Sequence, residues 1–396
     1  MSVSLGEDLE EEILIRLPAK SLMRFKCVQR SWNNLFKTPL FVYRNMNIHM
    51  SKDDHHRFII IDQHTKETCP KTHNHDNAMF IDKEIEPTCL ETHLMLLSLP
   101  DKLTPTLPPT PNVVEYSLFP NIPIRTIRLY GHCNGVLCLE YDYYNPSLVL
   151  WNPTTREVHF VPTPPTIHPE YMIGFGAKSN TNDFKVIKLN INREKTFVFS
   201  LLSIEIYNLN NKSWTINHNP ILPPDQATMR YYHKRPNKYN ILINGIYHWI
   251  TGYNVEGFSI ILSYDFSNNK FHTIVGPVSR LHSETGQQNL TQIKGSLACV
   301  VQLRSNIIFG MAIWVMDKHG WTKLYNLVPL EMAIHKHATF CKGKNGVQFL
   351  GGKPGQPLTL YDHHGNLLCQ FQILLHGLFD SFLVHEYVQS IAPLSA

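Results

Sequence analysis

The stretch LVLWNPTTREV (residues 148–158) carries the pattern that decides the fold of this chain. An apolar run ends in a large residue followed by Asn152, a polar turn comes next, and an apolar residue then restarts the pattern. Four later segments repeat this order: IEIYNLNNKSW (204–214), ILSYDFSNNKF (261–271), AIWVMDKHGW (312–321) and LTLYDHHGNLL (358–368). Asn or Asp at this place suits a tight turn between antiparallel strands, so each segment predicts a β-hairpin.

The hairpins recur at a regular interval. The Asn or Asp falls at positions 152, 208, 265, 317 and 362, and a period near 50 residues is close to that of kelch repeats and typical of a β-propeller. A further strand precedes each hairpin, and it opens with glycine at residues 135, 245, 295 and 346 in four of the five units. With FIIID (58–62) in a further unit, we predict about six blades. An irregular β-sandwich, which needs no period, is the alternative.

The N-terminal residues have a helical period instead. Leu5, Leu9, Ile13 and Leu17 recur every four residues, and Pro18 predicts the end of this helix. A second apolar stripe predicts one helix that ends before Pro39; it consists of Leu22, Phe25, Val28, Trp32 and Leu35. LPAKSLMRFKCVQRSW (17–32) thus has an apolar face that little of the preceding chain can cover. A unit of about 40 residues is marginal for folding alone, and the pattern by itself leaves open what this face packs against.

The chain divides into three regions on this basis. Residues 1–45 form a helical domain, and residues 126–396 form the propeller-like domain. Residues 46–125 are an irregular connector with possible first blade strands and the Pro-rich stretch LPDKLTPTLPPTPNVVEYSLFPNIPIR (99–125). Such a stretch suits an extended connector, or alternatively a ligand for a proline-recognition domain. The predicted fold class is α+β, a small helical unit followed by a mostly β, kelch-like propeller.

Composition restricts the class of protein. Hydrophobic residues make up 43% of the 396 residues and charged residues 17%, and the net charge is +4. The sequence lacks the concentrated basic patch that is typical of nucleic-acid binding. The N-terminal segment is acidic, unlike a secretory signal, and the longest apolar run, IIFGMAIWVM (307–316), has about half the length of a membrane span. We therefore expect a cytoplasmic protein, with the nucleus as a second compartment, reduced cysteines, and no membrane or nucleic-acid partner.

Motifs for bond chemistry are missing from the sequence. GxSxG, Walker A and GxGxxG patterns do not occur in the required context. Four residues have the side chains of metal ligands: His73, His335, His337 and Cys341. For His335 and His337, a position on an exposed strand edge is an equally good explanation. Asp265, Asp317 and Asp362 occupy predicted turns, which explains them better than paired catalytic carboxylates. We expect no catalytic residues, no metal and no cofactor. A propeller enzyme or sugar-binding protein with a central pocket is the alternative.

Residues 5–42, LGEDLEEEILIRLPAKSLMRFKCVQRSWNNLFKTPLFV, strongly resemble an F-box. In that family, two or three short helices dock on a Skp-type adaptor within a Skp–cullin–F-box ubiquitin ligase. One departure is Gly6, where the family usually has proline. The resemblance implies an adaptor-binding site made of Leu5, Leu9, Ile13, Leu14, Leu17, Pro18, Leu22, Phe25, Val28, Trp32 and Leu35.

The remaining chain resembles the plant F-box-associated domain through segments such as GHCNGVLCL (131–139), LWNPTTRE (150–157) and GIYHW (245–249). The tail LHGLFDSFLVHEYVQSI (375–391) is similar to the S-locus F-box branch, the pollen determinants of self-incompatibility. The resemblance implies a non-catalytic substrate receptor that reaches cullin and RING subunits through the adaptor. Its implied target is a non-self S-ribonuclease, bound by residues that the sequence does not identify. A general plant receptor for a defence, hormone or developmental target is the alternative.

Overall fold

A computed structural model describes most of the helical unit and the strands of the propeller. The described residues are 6–51, 57–65, 90–98, 112–115, 127–141, 146–193, 199–218, 240–254, 256–279, 285–304, 309–327, 339–343, 346–351, 357–362, 364, 366–374 and 382–394.

Four helices open the chain: α1 (Glu7–Leu14), α2 (Ala19–Phe25), α3 (Arg30–Leu35) and α4 (Pro39–Ser51). The prediction of one continuous second helix is wrong, because the chain leaves the helical conformation after Lys26 and is extended at Gln29. The break brings the ring of Trp32 to 5.9 Å from the ring of Phe25. Along one straight helix, the seven-residue separation would hold these side chains about two turns, or roughly 10 Å, apart.

Helix α4 lies beyond the predicted end of the helical pattern. Pro39 follows α3, as predicted, but it is also the first residue of α4, where a missing backbone N–H costs nothing. The helix extends to Ser51, so the helical unit continues past the expected boundary at residue 45. Asn45 Nδ2 donates hydrogen bonds to the carbonyl oxygens of Ile15 (2.7 Å) and Leu17 (2.9 Å). Helix α4 therefore holds the link between α1 and α2 in place.

The strands of the described residues form six four-stranded antiparallel sheets, here called blades I to VI. Blade I contains β1 (Arg57–Thr65), β2 (Leu90–Ser98), β3 (Asn112–Glu115) and β24 (Phe382–Glu386). Blade II contains β4 (Ile127–Cys133), β5 (Val136–Tyr141), β6 (Ser147–Asn152) and β7 (Glu157–Phe160). Blade III contains β8 (Tyr171–Ala177), β9 (Phe184–Arg193), β10 (Phe199–Asn208) and β11 (Ser213–Asn217).

The other three blades follow in the same order. Blade IV contains β12 (Ile241–Ile243), β13 (Ile246–Tyr253), β14 (Phe258–Asp265) and β15 (Lys270–Ser279). Blade V contains β16 (Thr285–Ile293), β17 (Ser296–Arg304), β18 (Phe309–Asp317) and β19 (Gly320–Leu327). Blade VI contains β20 (Thr339–Gly343), β21 (Gly346–Gly351), β22 (Pro357–Tyr361) and β23 (Leu367–Leu374).

Apolar clusters join each blade to both of its neighbours. Ile59 of blade I packs in one cluster with Leu137 of blade II, and Leu189 of blade III packs in another with Trp249 of blade IV. Separate clusters occupy the junctions of blades II and III, IV and V, V and VI, and VI and I. The prediction of a mostly β, propeller-like fold behind N-terminal helices is therefore confirmed.

The last strand closes the ring. β24 pairs antiparallel with β1, with Phe58 opposite Glu386, so residues from both ends of the chain share blade I. The prediction of a strand at FIIID is confirmed by β1. The region expected to be an irregular connector also supplies β2 and β3, although the Pro-rich stretch lies outside the described residues apart from β3.

The antiparallel order gives the ring two distinct ends. Turns between the first and second strands and between the third and fourth strands of a blade lie at one end, which we call the turn end. The five repeated Asn or Asp residues lie there, and in each the side-chain Oδ1 accepts the backbone N–H two residues later; these residues are Asn152 (2.9 Å), Asn208 (2.8 Å), Asp265 (2.7 Å), Asp317 (2.7 Å) and Asp362 (2.8 Å). The predicted role of this position in turns is confirmed. Connections between blades lie at the opposite end, which we call the connector end.

Candidate functional site

The helical unit presents several large apolar side chains to solvent. Leu9 and Ile13 are one turn apart on α1, and 57% and 53% of their surfaces are exposed. Val28, in the link between α2 and α3, and Leu40, in α4, are each 65% exposed. Pro18, at the start of α2, is exposed as well. Exposed apolar side chains on one small unit are typical of a protein-interaction surface.

The residues predicted to bind an adaptor occupy three environments. Leu9, Ile13, Pro18 and Val28 are exposed, whereas Leu14 and Leu22 lie in the core. Leu17, Phe25, Trp32 and Leu35 are half-buried and pack against that core. Leu5 lies outside the described residues. The exposed group has the side-chain surface that a partner can contact, and adaptor binding itself stays a prediction. Sequence reasoning missed Leu40, because the apolar pattern predicts a helix that ends before Pro39.

Polar contacts orient α1 so that Leu9 and Ile13 stay at the surface. Glu10 accepts a hydrogen bond from Nε1 of Trp32 at 3.2 Å. Arg44 in α4 donates to Glu11 at 2.9 Å and also to Glu12. The hydrogen bond from Arg44 is the main reason why the pKa of the Glu12 carboxyl is lowered. The acidic side of α1 thus faces α3 and α4.

The helical unit sits against the turn end of the propeller. One apolar cluster contains Leu22 and Phe36 of the helices together with Phe175 and Phe184 of blade III. Burial lowers the pKa of Lys26, which follows α2, and the negative charge of Glu157 at the start of β7 opposes that effect. The connector end is therefore the face that points away from the helices.

A buried polar network supports the connector end between blades II and III. The Glu140 carboxylate accepts hydrogen bonds from the hydroxyls of Tyr130 (2.9 Å) and Tyr171 (2.6 Å) and from Nη1 of Arg128 (3.2 Å). Burial is the main cause of the raised pKa of Tyr171, so this hydroxyl stays protonated and donates. These contacts join blade II to the first strand of blade III.

A second buried pair extends the network outward. Lys188 Nζ lies 3.4 Å from Oε2 of Glu205, and both side chains are almost fully buried. Lys188 also donates to the carbonyl oxygen of Thr166 (2.6 Å), which belongs to the connection between blades II and III. The same connection exposes Ile167, 92% of which is open to solvent. Buried polar contacts therefore hold the connection that exposes this apolar side chain.

Several cysteine and tryptophan side chains of the described propeller have structural roles. Cys133 and Cys138 are buried, and burial raises the pKa of Cys133 to about 12. Trp249 is buried and donates from Nε1 to the carbonyl oxygen of Ile173 at 3.0 Å. His73, His335 and His337 lie outside the described residues, as does the side chain of Cys341. In the described part of the chain, no three His, Cys, Asp or Glu side chains come together as a metal site.

Among the helices in the described residues, none has the length and apolar character of a membrane span.

Comparison with known proteins assigns the propeller to a family. Residues 93–392 match the family described as the F-box associated beta propeller domain, which is more than half of the chain. The chain belongs to this family.

Similar proteins from Arabidopsis thaliana carry related names. The F-box/kelch-repeat protein At3g23880 is 24% identical over 338 residues, which cover 81% of this chain and 78% of that protein. The putative F-box protein At3g10240 is 24% identical over 343 residues, covering 83% and 73%. Among solved structures, a protein from Lactobacillus plantarum aligns with 84% of this chain and 99% of its own, at 12% identity and a TM-score of 0.38.

Proposed function

We propose that this protein is the substrate-recognition subunit of a Skp–cullin–F-box ubiquitin ligase. The observation that carries the proposal is the exposed pair Leu9 and Ile13, on helices that resemble an F-box and are joined to a propeller of the F-box-associated family. In this function the helical unit binds a Skp-type adaptor, and the adaptor brings the cullin and RING subunits.

The protein contributes proximity rather than bond chemistry. Holding a lysine of the target near the ubiquitin donor raises the effective concentration of the two reacting groups. None of its own residues needs to be catalytic, and no cofactor is required. The connector end faces away from the helical unit and is the surface that we assign to the target. The compartment is the cytoplasm, with the nucleus as a second site of action.

We further propose an S-locus role, in which the protein acts in the pollen tube and its target is a non-self S-ribonuclease. The support is the sequence similarity of the tail, residues 375–391. The described part of that tail consists of β24 and the segment up to the buried Ile391, which serves ring closure. The similarity therefore supports membership of the branch, while contacts with the target are assigned to the connector end.

Co-purification of the full chain with a plant Skp-type adaptor tests the general proposal. We expect the intact protein to bind and the Leu9→Lys variant to lose at least about 30-fold in affinity, as for an interface hot spot. Leu324→Lys is the matched control, because Leu324 is an exposed leucine (43%) on β19 of the propeller and should leave binding unchanged. An intact, folded chain that binds no Skp-type adaptor contradicts the proposal.

Expression and pull-down experiments test the S-locus role. We expect the transcript only in pollen and expect the protein to retain S-ribonucleases from pistil extract. The Leu9→Lys variant should retain them equally, since it alters only the helical unit. Expression in leaf or root without ribonuclease binding would support the general defence, hormone or developmental receptor instead.

A further inference from the structure

The segment that follows the last strand packs in an apolar cluster that also contains residues of the propeller and of the helical unit. We call residues 387–394 the C-terminal strap. The strap begins where the backbone N–H of Tyr387 donates to the carbonyl oxygen of Arg57 at 2.7 Å. Ile391 and Ala392 are fully buried and Leu394 is 3% exposed, and they share one apolar cluster with the helices and with blades II and III. Because these apolar side chains are buried, the strap is part of the tertiary structure.

Asn152 binds the strap as well as its own turn. Its Nδ2 donates to the carbonyl oxygens of Ser390 (3.0 Å) and Ala392 (2.8 Å), while its Oδ1 accepts from the backbone of Thr154. Asn208, the equivalent residue of blade III, caps its turn in the same way, but its Nδ2 donates to Asp183 at 3.0 Å. The contact with the strap thus distinguishes Asn152 from its repeat equivalent.

Glu157 and Gly135 of blade II also approach the strap closely. Glu157 Oε2 accepts the backbone N–H of Leu394 at 2.6 Å, and its charge also acts on Lys26 of the helical unit. Gly135 lies directly beneath Ser390, because a Cβ atom at this glycine would be 2.5 Å from Cβ of Ser390. Glu157 therefore contacts the strap on one side and attracts the helical unit on the other.

We propose that the C-terminal strap fixes the orientation of the helical unit on the propeller, with Asn152 and Glu157 as its positioning residues. Apolar contacts alone are non-directional and permit several packing arrangements. The hydrogen bonds from Asn152 and to Glu157 specify one register of the strap along blade II, and the buried residues of the strap then form part of the surface on which the helices pack. This inference goes beyond the proposed function and holds for any partner of the helical unit.

Asn152→Asp separates the strap contact from the turn. Aspartate keeps the Oδ1 acceptor for Thr154 but loses both donors and places a carboxylate beside two carbonyl oxygens. We expect amide hydrogen exchange in residues 390–394 of the full chain to become at least about tenfold faster, as two hydrogen bonds are lost. Asn208→Asp is the matched control and should leave exchange in the strap unchanged. Equal exchange rates in the two variants would overturn the role of Asn152.

Pulsed dipolar spectroscopy tests the orientation directly. One spin label is placed on Cys27, which is exposed in the helical unit, and the other on Lys318→Cys in a turn of blade V. Cys69, Cys89 and Cys341 are replaced by serine in this background, and the remaining cysteines are buried. We expect one narrow distance distribution in the parent and a broadened one in Asn152→Asp and in a chain ending at Gln389. If the distance distribution stays narrow while amide exchange in the strap accelerates, the strap does not fix the orientation of the helical unit. If the shortened chain fails to fold, the distance distribution of Asn152→Asp alone tests the proposal.

Discussion

Ile13 and Leu14 are adjacent in α1, yet one is exposed and the other is buried. Ile13 is 53% exposed, whereas Leu14 is 3% exposed and packs in the core shared with the propeller. Both are apolar and both fit the helical period, so the sequence pattern treats them alike. Their difference arises because each residue of an α-helix is rotated by about 100° from the residue before it, so neighbouring side chains point in different directions.

The same substitution should therefore impair adaptor binding at Ile13 and stability at Leu14. Ile13→Lys should change the free energy of unfolding by less than about 0.5 kcal/mol but abolish adaptor binding, because its side chain lies at the surface. Leu14→Lys should cost about 3 kcal/mol or more, because it buries an unpaired charge. Urea unfolding and adaptor binding of both variants check this. Equal destabilisation by the two substitutions would contradict the assigned orientation of α1.

His248 makes stability depend on pH. Its Nδ1 lies 2.8 Å from Oγ of Ser263, and burial, aided by the nearby His272, lowers its pKa from about 6.5 to about 4. The unfolded chain binds the proton more readily, so the stability that this residue contributes is present above pH 6.5 and is lost as pH falls towards 4. The shift corresponds to about 3 kcal/mol.

We therefore expect His248→Asn to flatten the dependence of the unfolding free energy on pH between 6.5 and 4. Ser263→Ala is the control, because it removes the hydrogen-bond partner without removing the titrating group, and should lower stability with little change in slope. Thermal unfolding at a series of pH values measures both. An unchanged slope in His248→Asn would refute the assignment.

At the scale of elements, the repeated Asn or Asp specifies the hairpin between the third and fourth strands. In blade V the turn is short, and Asp317 Oδ1 accepts the backbone N–H of His319 at 2.7 Å. This contact forms between residues two apart, so it depends on local chemistry and could be predicted from the sequence. The break between α2 and α3 could not be predicted in this way. The spacing of Phe25, Val28 and Trp32 fits one continuous helix as well as two helices with a break.

Substitutions at Asp317 test the turn. Asp317→Ala removes the acceptor and should lower the free energy of unfolding by about 1 kcal/mol. Asp317→Asn keeps an oxygen at the same place and should cost clearly less. The urea midpoints of the two variants check this expectation. Equal losses for alanine and asparagine would contradict it, because both substitutions remove the charge but only alanine removes the acceptor of the hydrogen bond.

At the scale of the whole molecule, ring closure makes the two ends of the chain depend on each other. β24 supplies a neighbour for β1, and Tyr387 packs in the cluster between blades I and II. Without this strand, β1 would present unpaired backbone groups at the edge of blade I. The propeller should therefore unfold cooperatively only when the last strand is present.

A chain ending at residue 381 tests closure. We expect it to lose the cooperative thermal transition and to regain it when a peptide with the sequence of residues 382–394 is added, because the peptide can pair with β1 in the register of Phe58 opposite Glu386. A peptide of the same composition in scrambled order is the control. A shortened chain that melts like the intact protein would show that closure is dispensable.

Local patterns predicted most residues of the candidate site, but they did not predict which of these residues are exposed and which are buried. The spacing of apolar residues identified the helical unit and nearly all of its exposed large apolar side chains, including Leu9 and Val28. It did not separate them from Leu14 and Leu22, because inward and outward positions depend on the break after Lys26 and on α4. Leu40 was missed for the same reason, since α4 begins at Pro39, where the apolar pattern ends.

Local chemistry was sufficient for the repeated hairpins, because an Asn or Asp caps a turn two residues away and the repeat makes each unit recognisable. The contacts that complete the molecule join residues far apart in the chain. Asn152 meets Ser390 across 238 positions, and β1 meets β24 across a still longer stretch of chain. No local pattern encodes such pairings, because they form only when six sheets pack into a ring and bring the two ends of the chain together.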